Sequence, residues 1–201
     1  MTKGIYRQPT LHGDTIVFVS EDDLWTVSAS GGTAQRLTAN LGEITRPCFS
    51  PDGASLAFVS REEGPSELFV MPSAGGPARR LSYLGSSVAG TAGWSRDGKQ
   101  VLFFGNGGQA FMRVVGMYEV SAAGGLPRET PWRTACHAAL GPRGAVVLGL
   151  YGFEPARWKR YRGGRAGRLL IDPDGRGTFR PLIQLDGQLS NPMWIGSRIH
   201  F

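Results

Sequence analysis

Apolar residues come in short runs along this chain, and each run is closed by a cluster of Gly, Asp, Pro or Ser. Ile16-Val17-Phe18, Leu56-Ala57-Phe58-Val59, Val101-Leu102-Phe103 and Val146-Val147-Leu148 are each of strand length. No stretch repeats apolar residues at helical spacing, so the pattern predicts an all-β protein of short strands and tight turns.

The runs also recur in a fixed order. "FSPDGASLAFVS" at residues 49–60 and "GWSRDGKQVLFFG" at residues 93–105 share an aromatic residue, a Ser, an Asp-Gly turn and an apolar strand. Extending that match divides the chain into units at residues 13–41, 51–84, 96–132 and a looser 142–185, with a fifth beginning at "NPMWIGSRIHF". In each unit a short strand leads to a Gly turn: Gly13-Asp14, Asp52-Gly53, Asp97-Gly98 or Arg143-Gly144. An apolar strand follows, then a third strand such as Leu24-Trp25-Thr26-Val27, Leu68-Phe69-Val70-Met71, Met117-Tyr118-Glu119-Val120 or Leu169-Leu170-Ile171. A second turn at Gly31-Gly32, Gly75-Gly76, Gly124-Gly125 or Asp174-Gly175 precedes a basic fourth strand. Gly suits two-residue connections because a positive φ costs it nothing, and the primed turns match strand twist.

Four strands per unit at a period of about 40 to 50 residues is the spacing of propeller blades. The expectation is a β-propeller of four-stranded antiparallel blades at about residues 9–45, 46–88, 89–134 and 135–190, with a fifth started at 191–201. Four blades and a start do not close a ring. The 201 residues are therefore expected to be one partial propeller domain from a longer chain.

Composition fits many turns around a packed core, with 30 Gly and 13 Pro against 41% hydrophobic residues. The net charge of +6 comes from Arg and is compatible with acidic peptides, nucleic acid or an anionic surface as partner. Cys48 and Cys136 are too few for a disulfide scaffold and lack metal-ligand spacing, which suggests a reducing compartment. The N-terminal residues lack the apolar core of a secretory signal, and residues 145–153 are too short a stretch to span a membrane. A cytoplasmic protein with no membrane partner is the expectation.

Three stretches resemble the tricorn protease family. "PTLHGDTIVFVSEDDLWTVSASGG" at residues 9–32, with "RLTANLGE" after it, is similar to that family's opening blade. "FEPARWKRYRGGRAGRLLID" at residues 153–172 resembles its fourth-blade insertion, and "SNPMWIGSRIHF" the start of its fifth blade. The resemblance implies that this chain is the first part of a six-bladed propeller in a cytoplasmic, hexameric serine peptidase. Such an enzyme degrades oligopeptides, and its propeller serves gating or assembly. The family's catalytic Ser and His would lie beyond Phe201, so no catalytic residue is carried over. An archaeal member has paired arginines in the loop into its third blade; the corresponding residues 84–94 here contain no Arg.

The residues themselves offer little chemistry. His12, His137 and His200 sit beside strands, and His12 and His137 are read as structural residues just before Gly turns. No G-x-S-x-G elbow is present. Ser20-Glu21-Asp22-Asp23 reads as a solvated loop in preference to a cation site. "DPDGRG" at residues 172–177 imitates a calcium loop, but the twelfth position is Ile183 and the segment falls on a hairpin turn. No metal, cofactor or catalytic set is expected.

The basic insertion is the one candidate binding segment. Arg157, Lys159, Arg160, Arg162, Arg165 and Arg168 interleave with Trp158 and Tyr161. They could hold peptide carboxylates, contact a partner domain, or simply stack within an ordered loop. Nucleic-acid binding through stacking and phosphate neutralisation is the weaker reading. Two further readings stay open: a non-catalytic propeller scaffold for protein partners, and the propeller of a prolyl-oligopeptidase-like hydrolase.

Overall fold

The computed structural model describes residues 4–39, 41–62, 64–85, 88–111, 114–132, 134–151, 163–164 and 166–201. The first sheet contains β1 (Arg7–His12), β2 (Thr15–Ser20), β3 (Asp23–Ser28) and β4 (Gln35–Arg36). The second contains β5 (Thr45–Phe49), β6 (Ser55–Ser60), β7 (Glu67–Pro72) and β8 (Arg79–Arg80). The third contains β9 (Val88–Trp94), β10 (Gln100–Gly105), β11 (Gly116–Ser121) and β12 (Arg128–Glu129). The fourth contains β13 (Ala135–Leu140), β14 (Val146–Leu150), β15 (Arg168–Asp172) and β16 (Arg180–Pro181). A hairpin of β17 (Met193–Ile195) and β18 (Arg198–His200) follows. Every pairing is antiparallel between sequence neighbours.

The first strands of successive sheets lie against one another, β1 on β5, β5 on β9, β9 on β13 and β13 on β17. The short fourth strands therefore form the outer rim. This is a β-propeller arc.

Strand periodicity explains why the apolar runs are continuous. Successive side chains point to opposite faces of a sheet, and a blade between two others is covered on both. In the second sheet Leu56, Phe58, Phe69 and Met71 pack toward the first sheet with Val17, Val19 and Leu24. The alternate residues Ala57, Val59, Leu68 and Val70 pack toward the third sheet with Trp94, Val101, Phe103 and Tyr118. Met117, Ala135, Val146 and Leu148 join the third sheet to the fourth. Trp194 and Ile199 seat the hairpin on Ala139, Val147 and Leu169.

The repeated "SPDG" and "SRDG" wording has one geometry. Ser50 Oγ donates to Asp52 Oδ1 at 2.6 Å, the Ala54 N–H donates to the same oxygen at 3.0 Å, and the Ser55 N–H returns to Ser50 Oγ at 2.9 Å. Ser95, Asp97, Lys99 and Gln100 repeat these bonds at 2.6, 3.1 and 2.9 Å. Gly53 and Gly98 take φ of 72° and 68°, where a side chain would be strained. The expected two-residue turn is correct only at Gly13-Asp14, flanked by paired His12 and Thr15. At residues 51–54 the side-chain network holds a longer loop open, and residues 29–34 and 73–78 are longer again.

The two ends of the arc differ. Connections from third to fourth strands stay nearly constant in length, and those from first to second are short in every sheet, two residues at 13–14 and five at 50–54, 95–99 and 141–145. Those from second to third strands, at the opposite end, are residues 21–22, 61–66, 106–115 and 151–167. Length variation of this kind is confined to connecting segments at the surface, while the strands that they join keep their lengths.

Candidate functional site at the axis of the arc

Each innermost strand carries one polar residue at an equivalent register position. Thr10, Cys48, Gly93 and Ala139 pair with Val17, Ala57, Leu102 and Val147 of the second strands. Two residues before each lie Gln8, Arg46, Thr91 and His137, and Asn191 occupies the matching place before β17. The pairing register shifts at this level in β1, β5, β9 and β13. A bulge of this kind bends the strand and re-aims a side chain. Gln8, Arg46 and Asn191 have φ of 50°, 52° and 51°, an uncommon conformation outside Gly, and each precedes a Pro. Pro lacks the N–H that a regular ladder would require there.

Three of these positions, Gln8, Arg46 and Thr91, are bonded to one another around the axis. The Arg46 N–H donates to Gln8 Oε1 at 2.7 Å, and Thr91 Oγ1 donates to the Arg46 carbonyl at 2.6 Å. One level lower, Trp94 Nε1 donates to the Cys48 carbonyl at 3.2 Å. The Arg46 side chain then crosses the third sheet. Its stem runs over Gly90, where a Cβ would fall 2.2 Å from Arg46 Cδ, and its guanidinium lies 5.3 Å from the centre of the Phe104 ring. His137 of the fourth sheet lies 5.9 Å from the same ring.

Both His137 ring nitrogens are enclosed and have no hydrogen-bond partner. Burial, reinforced by the Arg46 charge, lowers its pKa to about 4, so the ring is neutral at pH 7. Cys136 beside it and Cys48 are free thiols whose pKa values burial raises to about 11. Neither is a reactive thiolate.

Several sequence expectations need correction. His137 lies in the middle of β13 and not just before a Gly turn; the β13 bulge, invisible in the residue types, puts it on the axial wall. His12 does end β1, against Phe49 at 5.8 Å. Asp23 is not a solvated loop residue. Thr38 Oγ1 donates to its Oδ1 at 2.8 Å, Arg36 pairs with it, and the Leu24 N–H donates to Thr38 Oγ1 at 2.9 Å. Glu67, Ser82 and Arg80 repeat this latch in the second sheet, with Arg80 at 3.0 Å from Glu67 Oε1. Gly116 occupies the acid's place in the third sheet. The stretch expected as a loop into the third blade ends in strand, since Val88–Trp94 is β9.

Asp172 does sit at the hairpin turn. Its burial opposes ionisation, but the Gly175, Arg176 and Gly177 N–H groups donate to its carboxylate at 3.1, 3.3 and 2.7 Å. Its pKa is held below the usual carboxylate value. The described residues contain no grouping of His, Cys, Asp and Glu able to hold a metal, and no helix long and apolar enough to cross a membrane. Arg157, Lys159, Arg160, Arg162 and Arg165 lie outside the described residues, whereas Arg168 opens β15 and is exposed.

Similarity to known proteins then places the arc. The family profile of the tricorn protease N-terminal β-propeller domain matches residues 3–201. The chain belongs to the tricorn protease N-terminal propeller family. It is 39% identical over 196 residues to tricorn protease homolog 1 of Streptomyces coelicolor, covering 97% of this chain and 18% of that one. The crystal structure of the tricorn protease superposes with a TM-score of 0.85 at 29% identity, over 98% of this chain and 20% of that one. A tricorn-like protease N-terminal subunit of Sulfurisphaera tokodaii is 26% identical over 181 residues, covering 88% of this chain and 90% of its own. The tricorn-type chain thus spans about a fifth of the first two and nearly all of the third.

Proposed function

We propose that this chain is the non-catalytic propeller part of a tricorn-like cytoplasmic serine peptidase that degrades oligopeptides, and that it serves peptide passage or assembly. The carrying observation is the family match over nearly the whole chain. The polar axial positions and the lengthening connections at one end support it as a surface facing peptide. A six-bladed ring and a homo-oligomer, a hexamer by family likeness, belong to this reading. So does contact of Arg157, Lys159, Arg160, Arg162 and Arg165 with peptide or a partner domain. Nucleic acid and membrane are not partners in it.

The complete peptidase should hydrolyse fluorogenic peptides and stop when its nucleophilic Ser is replaced, while the 201-residue chain should show no hydrolysis. Arg160→Glu with Arg162→Glu should change peptide turnover or assembly. An effect on nucleic-acid retention alone would refute the peptide role of that segment.

The second reading is a separate scaffold subunit working with other chains. The similar length of the Sulfurisphaera tokodaii relative, itself called a subunit, favours it. Expressing the gene settles which applies: one long polypeptide supports the first, and a short product that co-purifies with a peptidase chain supports the second.

A further inference from the structure

The acid-hydroxyl-arginine latch of the first two sheets has a counterpart in the fourth with its charge reversed. Trp25, Phe69 and Leu170 of the third strands pair with Arg36, Arg80 and Pro181 of the fourth strands, so the three places match residue by residue. Two residues before the first set stand Asp23, Glu67 and Arg168, and two residues after the second set stand Thr38, Ser82 and Ile183. In the fourth sheet a cation therefore takes the acid's place, and Pro181 and Ile183 stand where the arginine and the hydroxyl would be. Arg168 is exposed, and no described residue bonds or pairs with its side chain.

A cavity lies where the other two sheets hold their latch. It measures about 400 Å³ and is bordered by all three exchanged positions, Arg168, Pro181 and Ile183, together with Leu185 and Leu189. Ligand sites are commonly about 300–1,000 Å³. Its wall is fixed by the backbone. The Gly167 N–H donates to Gln188 Oε1 at 2.7 Å, the Leu189 N–H donates to the Gly167 carbonyl at 3.2 Å, and the Leu182 N–H donates to the Leu169 carbonyl at 2.9 Å. A Cβ on Gly167 would fall 2.4 Å from the Leu189 carbonyl oxygen, so only Gly lets the connection close this tightly on β15.

We propose that this cavity binds an acidic side chain of a peptide segment, with Arg168 taking the carboxylate and Ile183, Leu185 and Leu189 taking the apolar residues beside it. The guanidinium offers a planar fork for two carboxylate oxygens. The ligand completes the latch from outside, in the reverse sense of the Arg36–Asp23 and Arg80–Glu67 pairs. Charge selects the ligand class. One cation balances one carboxylate, and Asp186, on the same wall and already partnered, disfavours a phosphate dianion. The site does not rest on the peptidase reading.

The test follows Arg168 Nε and the methyl groups of Ile183, Leu185 and Leu189 by NMR in the labelled 201-residue chain, at pH 7 and low salt in carboxylate-free buffer. The peptide N-acetyl-Leu-Glu-Leu amide should give saturable shifts at all four residues, and its Gln counterpart should bind at least tenfold more weakly, the scale of one charge-assisted hydrogen bond. Arg168→Gln should remove that preference for Glu over Gln. Ile183→Glu offers Arg168 a carboxylate from within the chain, so it should shift Arg168 Nε without ligand and abolish peptide binding. Equal binding of the Glu and Gln peptides, or no saturable shift in the unaltered chain, overturns the proposal without any variant. A Glu preference that survives Arg168→Gln overturns it as well. Tighter binding of N-acetyl-Leu-Leu as its free acid overturns the side-chain assignment, and tighter binding of inorganic phosphate overturns the carboxylate assignment. None of these readouts involves hydrolysis, so they are independent of the peptidase test.

Discussion

The two acid-hydroxyl-arginine latches differ in burial, and that difference predicts unequal costs when their arginines are removed. In the second sheet the Glu67 side chain is 1% exposed and Arg80 20%, whereas in the first Asp23 is 9% and Arg36 49% exposed. Removing one member of a buried pair leaves an uncompensated charge and costs about 3–5 kcal/mol. Arg80 also lies 4.4 Å from the centre of the exposed Tyr83 ring, worth about 0.5–1 kcal/mol. Arg80→Met should therefore cost about 3–5 kcal/mol. Solvent already reaches half of Arg36, so Arg36→Met should cost about 1 kcal/mol. Urea denaturation followed by circular dichroism reads both. With a slope of about 2–3 kcal/mol/M, the first change should lower the midpoint by about 1–2 M and the second by less than about 0.5 M. The double change Glu67→Leu with Arg80→Met removes the stranded charge and should recover most of the loss. Equal costs for the two arginines, or a double variant no better than Arg80→Met, would refute the reasoning.

Three other outcomes follow from the geometry. His137 titrates near 4 in the folded chain against an ordinary value of 6.5, so the unfolded chain binds more protons between those values and stability falls as pH drops through that window. The loss reaches up to about 3 kcal/mol, should flatten in His137→Gln, and lies above the range where Asp52 and Asp97, held below the usual carboxylate value by Ser50 and Ser95, begin to protonate. Gly141→Ala keeps an allowed backbone, φ −97° and ψ −179°, but its Cβ would fall 2.3 Å from the Trp194 ring. It should release β17 and β18, seen as faster amide exchange at Trp194 and Ile199 with β10 unchanged. Phe103→Ala empties a fully buried site between the second and third sheets and should cost about 3–5 kcal/mol in the same urea assay.

What could be read in the sequence was what is local. Strand runs such as Val101-Leu102-Phe103 and turns such as Ser95-Arg96-Asp97-Gly98 carry their own chemistry, so repeat, strand order and fold class followed from adjacent residues. The axial positions did not, because Gln8, Arg46, Thr91, His137 and Asn191 share no residue type and meet only through bulged register across sheets. A trace was present: Gln8-Pro9, Arg46-Pro47 and Asn191-Pro192 place a Pro at the same point of three first strands. The latch had a weaker trace, an acid opening the third strand and Arg-x-Ser or Arg-x-Thr following it. It was obscured because Asp23 stands in a run of acids that reads as solvent-facing.

The most direct test is an amide-resolved NOE spectrum of the deuterated 201-residue chain. Sheets set radially about an axis predict cross-peaks between Gln8 and Arg46, Arg46 and Thr91, and the Trp94 indole proton and Cys48, all between first strands of neighbouring sheets. The rim strands should show none with each other. Cross-peaks joining Arg36, Arg80 or Arg128 of successive sheets, with the first-strand set missing, would contradict the fold and the axial site together.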